Sequence, residues 1–183
     1  MRPGRKPVRA ANRQSGVVAI ELAFILPILI VIFAGMVQVV TLVSNDRKIS
    51  YASNALGDLV TQTDSPILAT RIDDFFAASQ LILRDSSVTN RGFLLANFRS
   101  TNGAVTQVWQ RRTGAVCAAP AAAVLAPLMT AGNDVVIAVV CGRYVPVLAQ
   151  FMGTNIMGAA TFNLRRQIAL RPRQTLRLDC TGC

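Results

Sequence analysis

The residues with the widest chemical repertoire in this chain are its four cysteines, Cys117, Cys141, Cys180 and Cys183. Thiols at these spacings can form disulfides, exchange electrons or hold a metal, and the closing Cys-Thr-Gly-Cys has the C-x-x-C spacing that serves all three. The rest of the composition narrows the choice. The chain contains no histidine, which removes His-based acid/base catalysis, Ser/His or Cys/His nucleophile activation, and His-containing zinc sites. A metal at Cys180 and Cys183 needs two further ligands, for which only the distant cysteines are available. A redox pair usually opens a helix in a βαβ unit, and no helix follows Cys183. Of the three possible connectivities, the expected one is Cys117 with Cys141, closing a loop worth about 3 kcal/mol, and Cys180 with Cys183 as a tail staple.

Other catalytic constellations are missing. There is no P-loop, G-x-G-x-x-G, G-x-S-x-G or nucleophile-base arrangement. Asp73 and Asp74 are adjacent carboxylates, but neighbours on a helix point in different directions, so a solvated edge is expected. Arg111-Arg112, Arg165-Arg166 and Arg171-Pro172-Arg173 read as solvated basic surface, with anionic headgroups or an acidic partner face as the alternative. No catalytic residue, cofactor or metal is assigned, and the chain is expected not to be an enzyme.

The remaining chemistry is N-terminal. Residues 1–16 hold Arg2, Arg5, Lys6, Arg9 and Arg13 and no acid, so half of the net charge of +10 sits in this leader. The pI near 11.0 therefore does not point to nucleic acid as a partner. From Val17 to Ser44 the only ionisable group is Glu21. This run supplies the roughly 20 apolar residues needed to cross a bilayer as a helix, and it concentrates much of the mean hydropathy of +0.42. Five cations just before the span keep the N-terminus cytoplasmic and export the chain beyond Ser44. A cleaved secretory signal is disfavoured, because the run is too long and no A-x-A stands at its end. A plain anchor leaves Glu21 unexplained, since an acid at membrane depth costs about 2.5 kcal/mol or more.

Gly16 ends the leader and Glu21 is the fifth residue after it. This arrangement resembles the type IV prepilin signal, cut after the glycine on the cytoplasmic side while the helix is retained. A glycine permits close enzyme approach to the scissile backbone. The new terminus at Val17 is a cation, which in related assemblies pairs with the equivalent carboxylate and offsets its burial. More narrowly, Ala19, Ile20, Glu21, Leu22, Ala23 and Pro27 resemble the signature of the TadE-like family of the Tad (Flp) type IVb pilus systems, with Leu22 where Phe is more usual. Weaker likeness extends over Arg47–Gln62 and Leu170–Gln174.

The resemblance implies a pseudopilin or minor pilin, a structural component in pilus biogenesis and adhesion, anchored in the bacterial inner membrane with its C-terminal domain periplasmic. Gly16 and Val17 would form the processing site, while Glu21 and Pro27 would serve assembly or recognition. A proline inside a helix removes one backbone bond and kinks it, although proline is also simply frequent in membrane helices. Implied partners are the prepilin peptidase, other Tad pilin-like subunits, the inner-membrane assembly platform and membrane lipid. The alternative is an unprocessed, membrane-anchored periplasmic thiol or binding protein.

These residues must be carried by a recognisable set of elements. The expected organisation is a leader over 1–16, a transmembrane helix over 17–44 and an α+β domain over 45–183. Ile49, Ala52, Leu56, Leu59 and Val60 extend the helix as an amphipathic one. Ser65 as N-cap and Pro66 at the first helical position predict a second helix to about Arg84, with Leu68, Ile72, Phe75, Phe76, Ile82 and Leu83 as its core stripe. Asn102-Gly103 between two alternating runs predicts a β-hairpin. A short helix is expected within Pro120–Ala131, followed by two further strands, so that an antiparallel sheet of about four strands carries the helices.

Overall fold

The structure is a computed structural model and describes residues 14–129, 132–146 and 161–183. It contains two compact units that divide between Val39 and Val40, inside a single helix, α1, Gln14–Thr61. The first unit is α1 residues that are apolar all round. Its side chains, such as Phe24 at 74% and Phe33 at 69%, are exposed. One helix of the chain is thus long and apolar enough to cross a membrane. In the second unit α1 narrows to one apolar stripe, on which Ile49, Ala52, Leu56 and Val60 are fully buried. Leu59, expected in that stripe, is only half-buried.

The second unit is α+β. After α1 come β1 (Ile67–Leu68), α2 (Ala69–Ile82), β2 (Val88–Thr101), β3 (Ala104–Gly114) and α3 (Ala122–Leu125), then β4 (Asp134–Tyr144), β5 (Phe162–Leu170) and β6 (Cys180–Thr181). Strands β2 to β5 form one antiparallel sheet in the order β3-β2-β4-β5. The hairpin forms where expected. Asn102 and Gly103 both take positive φ, 51° and 82°, which gives a two-residue turn whose twist matches its strands. The run before the turn, expected to alternate, does not: FLLANF, like VVIAVV of the other central strand, is buried on both faces, because helices or loops cover the sheet on both sides.

Each sheet face has its own core. On one, Phe93, Leu95, Val136, Ala138 and Val140 pack with Ile49, Leu56, Ile72 and Phe76 of α1 and α2. On the other, Leu94, Ala96, Phe98, Ile137 and Val139 pack with Cys117 and Leu125. Gly57 lets α1 sit directly on β5: a Cβ there would lie 3.0 Å from Leu170 Cδ1 and 3.1 Å from Ile168 Cγ2.

Two local expectations are corrected. Ser65 does not cap α2, which starts at Ala69 with Leu68 as an extended N-cap that makes no side-chain hydrogen bond. The Ser65 hydroxyl instead accepts from the Asp179 N–H at 3.1 Å, the Ser65-Pro66 peptide is cis, and the Ile67 N–H donates to the Asp179 carbonyl at 2.9 Å. The tail claims this segment as a strand, with Ile67 opposite Cys180 and Leu68 opposite Thr181 in a parallel pair. The α2 stripe narrows accordingly. Ile72, Phe76 and Leu83 are buried, whereas Leu68 and Ile82 are 56% and 37% exposed. The short helix forms within the expected stretch, as four residues of α3 and a 3₁₀ turn over Ala126–Leu128 that contains Pro127. Its expected end at Ala131 lies outside the described residues.

Candidate functional site

The sequence-predicted residues fall into two sets, which the chain places in different units. Gly16, Val17, Glu21 and Pro27 all lie on α1 within the first unit. Gly16 has no non-neighbouring heavy atom within 4 Å of the position a Cβ would take, and Val17 is 58% exposed. Glu21 is exposed among apolar neighbours, and no hydrogen bond or ion pair joins it to the described residues. Pro27 lies inside the helix, which continues past it. The eleven steps from Gly16 to Pro27 cover about 16 Å of helix axis, at 1.5 Å per residue. This is one short, uninterrupted helical stretch that carries a glycine, a valine, an acid and a proline on an otherwise apolar rod.

The cysteines belong to the second unit. Cys117 is joined to Cys141, with Cα atoms 5.9 Å apart and a sequence separation of 24. Cys180 is joined to Cys183 at a sequence separation of 3, Cα to Cα 5.8 Å. The first bridge ties the segment after β3 to β4. The second closes the tail directly on β6. Among the described residues no group of three His, Cys, Asp or Glu could hold a metal.

The most elaborate polar arrangement was not singled out in the sequence. Asp134, fully buried, accepts from Arg99 Nε at 2.7 Å and Nη2 at 2.8 Å, from Asn97 Nδ2 at 2.7 Å and from the Leu178 N–H at 2.7 Å. The Leu178 carbonyl in turn accepts from Asn97 Nδ2 and from Trp109 Nε1, each at 2.8 Å. Arg99 also reaches Asp179 at 2.8 Å. Burial alone would raise the Asp134 carboxyl, but the donors from Arg99, Asn97 and Leu178 together outweigh it and hold the group below the usual carboxylate range. The Asp134 hydrogen bond likewise pushes the Arg99 guanidinium above its ordinary value. The arrangement clasps the tail: both backbone groups of Leu178, whose side chain is fully buried, are held by the sheet. The available signal in sequence was an isolated acid, Asp134, heading an apolar strand.

The basic pairs are divided by strand alternation. Arg111 makes a forked contact with Asp73 of α2, at 2.8 and 2.6 Å, and Arg166 pairs with Asp46 of α1. Arg173 pairs with Asp58 at 2.7 Å. Asp73 is therefore half of a sheet-to-helix ion pair, which corrects the expectation of a merely solvated edge. Arg112 and Arg165 project from the opposite face and meet no carboxylate.

With this geometry in view, comparison with known families gives a partial match. Residues 16–56 match the model of the TadE-like protein family, a stretch that begins at Gly16 and takes in Glu21 and Pro27. That segment is TadE-like. No curated protein and no solved structure matches the chain.

Proposed function

We propose that the protein is a TadE-like pseudopilin or minor pilin, a non-enzymatic subunit in the assembly of a Tad (Flp) pilus. The observation that carries this reading is the start of the family match at Gly16, where a basic leader meets an apolar helix with an acid at its fifth position. In this reading the prepilin peptidase cuts between Gly16 and Val17 from the cytoplasmic side. The helix stays in the inner membrane, and the second unit is periplasmic. Cleavage gives Val17 a cationic amine that needs a counter-charge, and an otherwise unpaired carboxylate such as Glu21 on a neighbouring pilin-like helix supplies it. Pro27 weakens the helix ladder within the span, so that adjacent helices can adjust their crossing. Partners are other pilin-like subunits and the inner-membrane platform.

A thiol-exchange role for Cys180 and Cys183 is the lesser reading. Their bridge lies in a tail fixed by β1, Asp134 and Trp109, an arrangement suited to holding structure. Intact mass of the membrane-extracted protein, from cells with and without the prepilin peptidase, tests the main reading. A mass beginning at Val17 only when the peptidase is present supports it. An uncut chain in peptidase-positive cells overturns the processing step.

A further inference from the structure

We propose that the outer edge of β5, with the cleft beside it, receives an extended acidic segment of a different polypeptide. The inference concerns the second unit alone and stands independently of processing at Gly16.

The edge is open. β5 is the last strand of its sheet and pairs only with β4. Among the described residues no other backbone hydrogen bond reaches residues 162–170. An uncovered row of N–H and C=O groups is a template for a further strand, and a backbone is the ligand that matches it.

The cleft supplies the selectivity. A cavity of about 320 Å³ opens at the start of β5 against the Cys117–Cys141 bridge, rimmed by Asn90, Val116, Arg143, Asn163, Leu164 and Arg165. Arg165 is held in place by bonds from Nη2 to the Ala118 carbonyl at 2.9 Å and to Gln167 Oε1 at 2.8 Å. Both acceptors are neutral, so its charge is positioned without being cancelled. Arg143 meets no carboxylate. All nine acids of the chain fall among the described residues, and none lines this cleft. Five of them, Asp46, Asp58, Asp73, Asp134 and Asp179, are already in ion pairs with Arg166, Arg173, Arg111 and Arg99. The sheet face around Arg143 and Arg165 is therefore an uncompensated cationic strip. A residue on an added strand directly opposite Arg165 would lie about 5 Å from it between Cβ atoms, with alternate residues on the same face. Glu or Asp at those alternate positions meets the strip.

A second copy of this chain is a poor occupant. Antiparallel pairing of two β5 strands about their centre puts Arg166 opposite Arg166, and like charges directly opposite are destabilising. The only acid in any strand of the chain is Asp134, which is buried. Arg166 at the strand centre disfavours self-pairing, while Arg143 and Arg165 on the other face select an acidic partner.

The test uses the full chain in nonionic detergent and a fluorescent ten-residue peptide of alternating Val and Glu. Binding is expected to be saturable and to weaken at least tenfold in R143A/R165A. It should also be absent for the peptide with Lys in place of Glu. Because backbone groups alternate sides along a strand, N-methylation of one alternate set of residues should abolish binding while the other set leaves it intact. Arg143→Ala alone removes no bond within the fold and should weaken binding in the same direction. Equal binding of the Lys peptide, or an equal effect of both N-methylated sets, overturns the proposal. So does arginine-dependent sedimentation with phosphatidylglycerol vesicles when the Val/Glu peptide does not bind, which would make the strip a headgroup contact.

Discussion

Asp134 is the residue on which the second unit's polar organisation turns. Its carboxylate is fully buried, and four hydrogen bonds from Arg99, Asn97 and Leu178 occupy it. Removing one partner of such a buried pair leaves the other uncompensated, at about 3 kcal/mol or more. Asp134→Asn is therefore expected to destabilise the protein by about 3 kcal/mol at pH 7, read from urea unfolding by the emission of Trp109, the single tryptophan. The pH dependence is set by the sign of the shift. The folded carboxyl titrates below its ordinary value, so its contribution is complete above the unfolded carboxylate range near pH 4 and is lost as pH falls through the folded value. The wild-type chain should lose stability steeply on the acid side, whereas Asp134→Asn should lose less, and the two should converge at low pH. Convergence failing to appear would mean that Asp134 is not the titrating group. Little of this was legible in the sequence. An acid before VVIAVV reads as a strand boundary, and only the fold brings Arg99 and Leu178 to it. The arginine pairs show a similar limit: the charges are visible in sequence, but which member of each pair finds an acid is decided by the period of two along β3 and β5.

At the scale of elements, the tail is the part that most changes the picture. Residues 176–183 contribute Leu178 to the core, β6 to a parallel pair and a disulfide to its own closure. Leu178→Ala removes a fully buried side chain and should cost roughly 2–5 kcal/mol, with a red shift of Trp109 emission as the indole's surroundings loosen. A stable variant with unchanged emission would show that the tail is not integral to the core. The two bridges should also differ. By loop length, Cys117→Ser with Cys141→Ser should cost about 3 kcal/mol, and Cys180→Ser with Cys183→Ser nearer 2 kcal/mol, measured in the same unfolding assay. The contrast between the well-read hairpin and the misread start of α2 has a physical reason. Asn102-Gly103 determines its turn from two residues and their tolerance of positive φ. Ser65 satisfies an N–H 114 residues away, and a local capping rule cannot see that competitor.

For the whole molecule, the long helix and the leader charge are the features most plainly written in the sequence, since they depend on composition alone. Loss of residues 1–16 would remove five cations and no acid, leaving 14 Lys+Arg against 9 Asp+Glu, so half of the starting charge acts as an orientation signal in the proposed topology. The disulfides provide a readout of that orientation which does not involve pilus assembly. All four cysteines are paired in the folded second unit, and such bridges persist only in an oxidising compartment. A domain exported to the periplasm should therefore show no thiol able to react with a maleimide-polyethylene glycol when the protein is denatured without reductant. Replacing Arg2, Arg5, Lys6, Arg9 and Arg13 by neutral residues weakens the signal, so a fraction of chains should retain the domain in the cytoplasm with four reactive thiols each, visible as a ladder of four gel shifts. If the neutralised leader leaves every chain oxidised, the apolar span and not the leader sets the direction of insertion. If the unaltered chain already carries four reactive thiols, the domain faces the cytoplasm and the proposed topology is reversed.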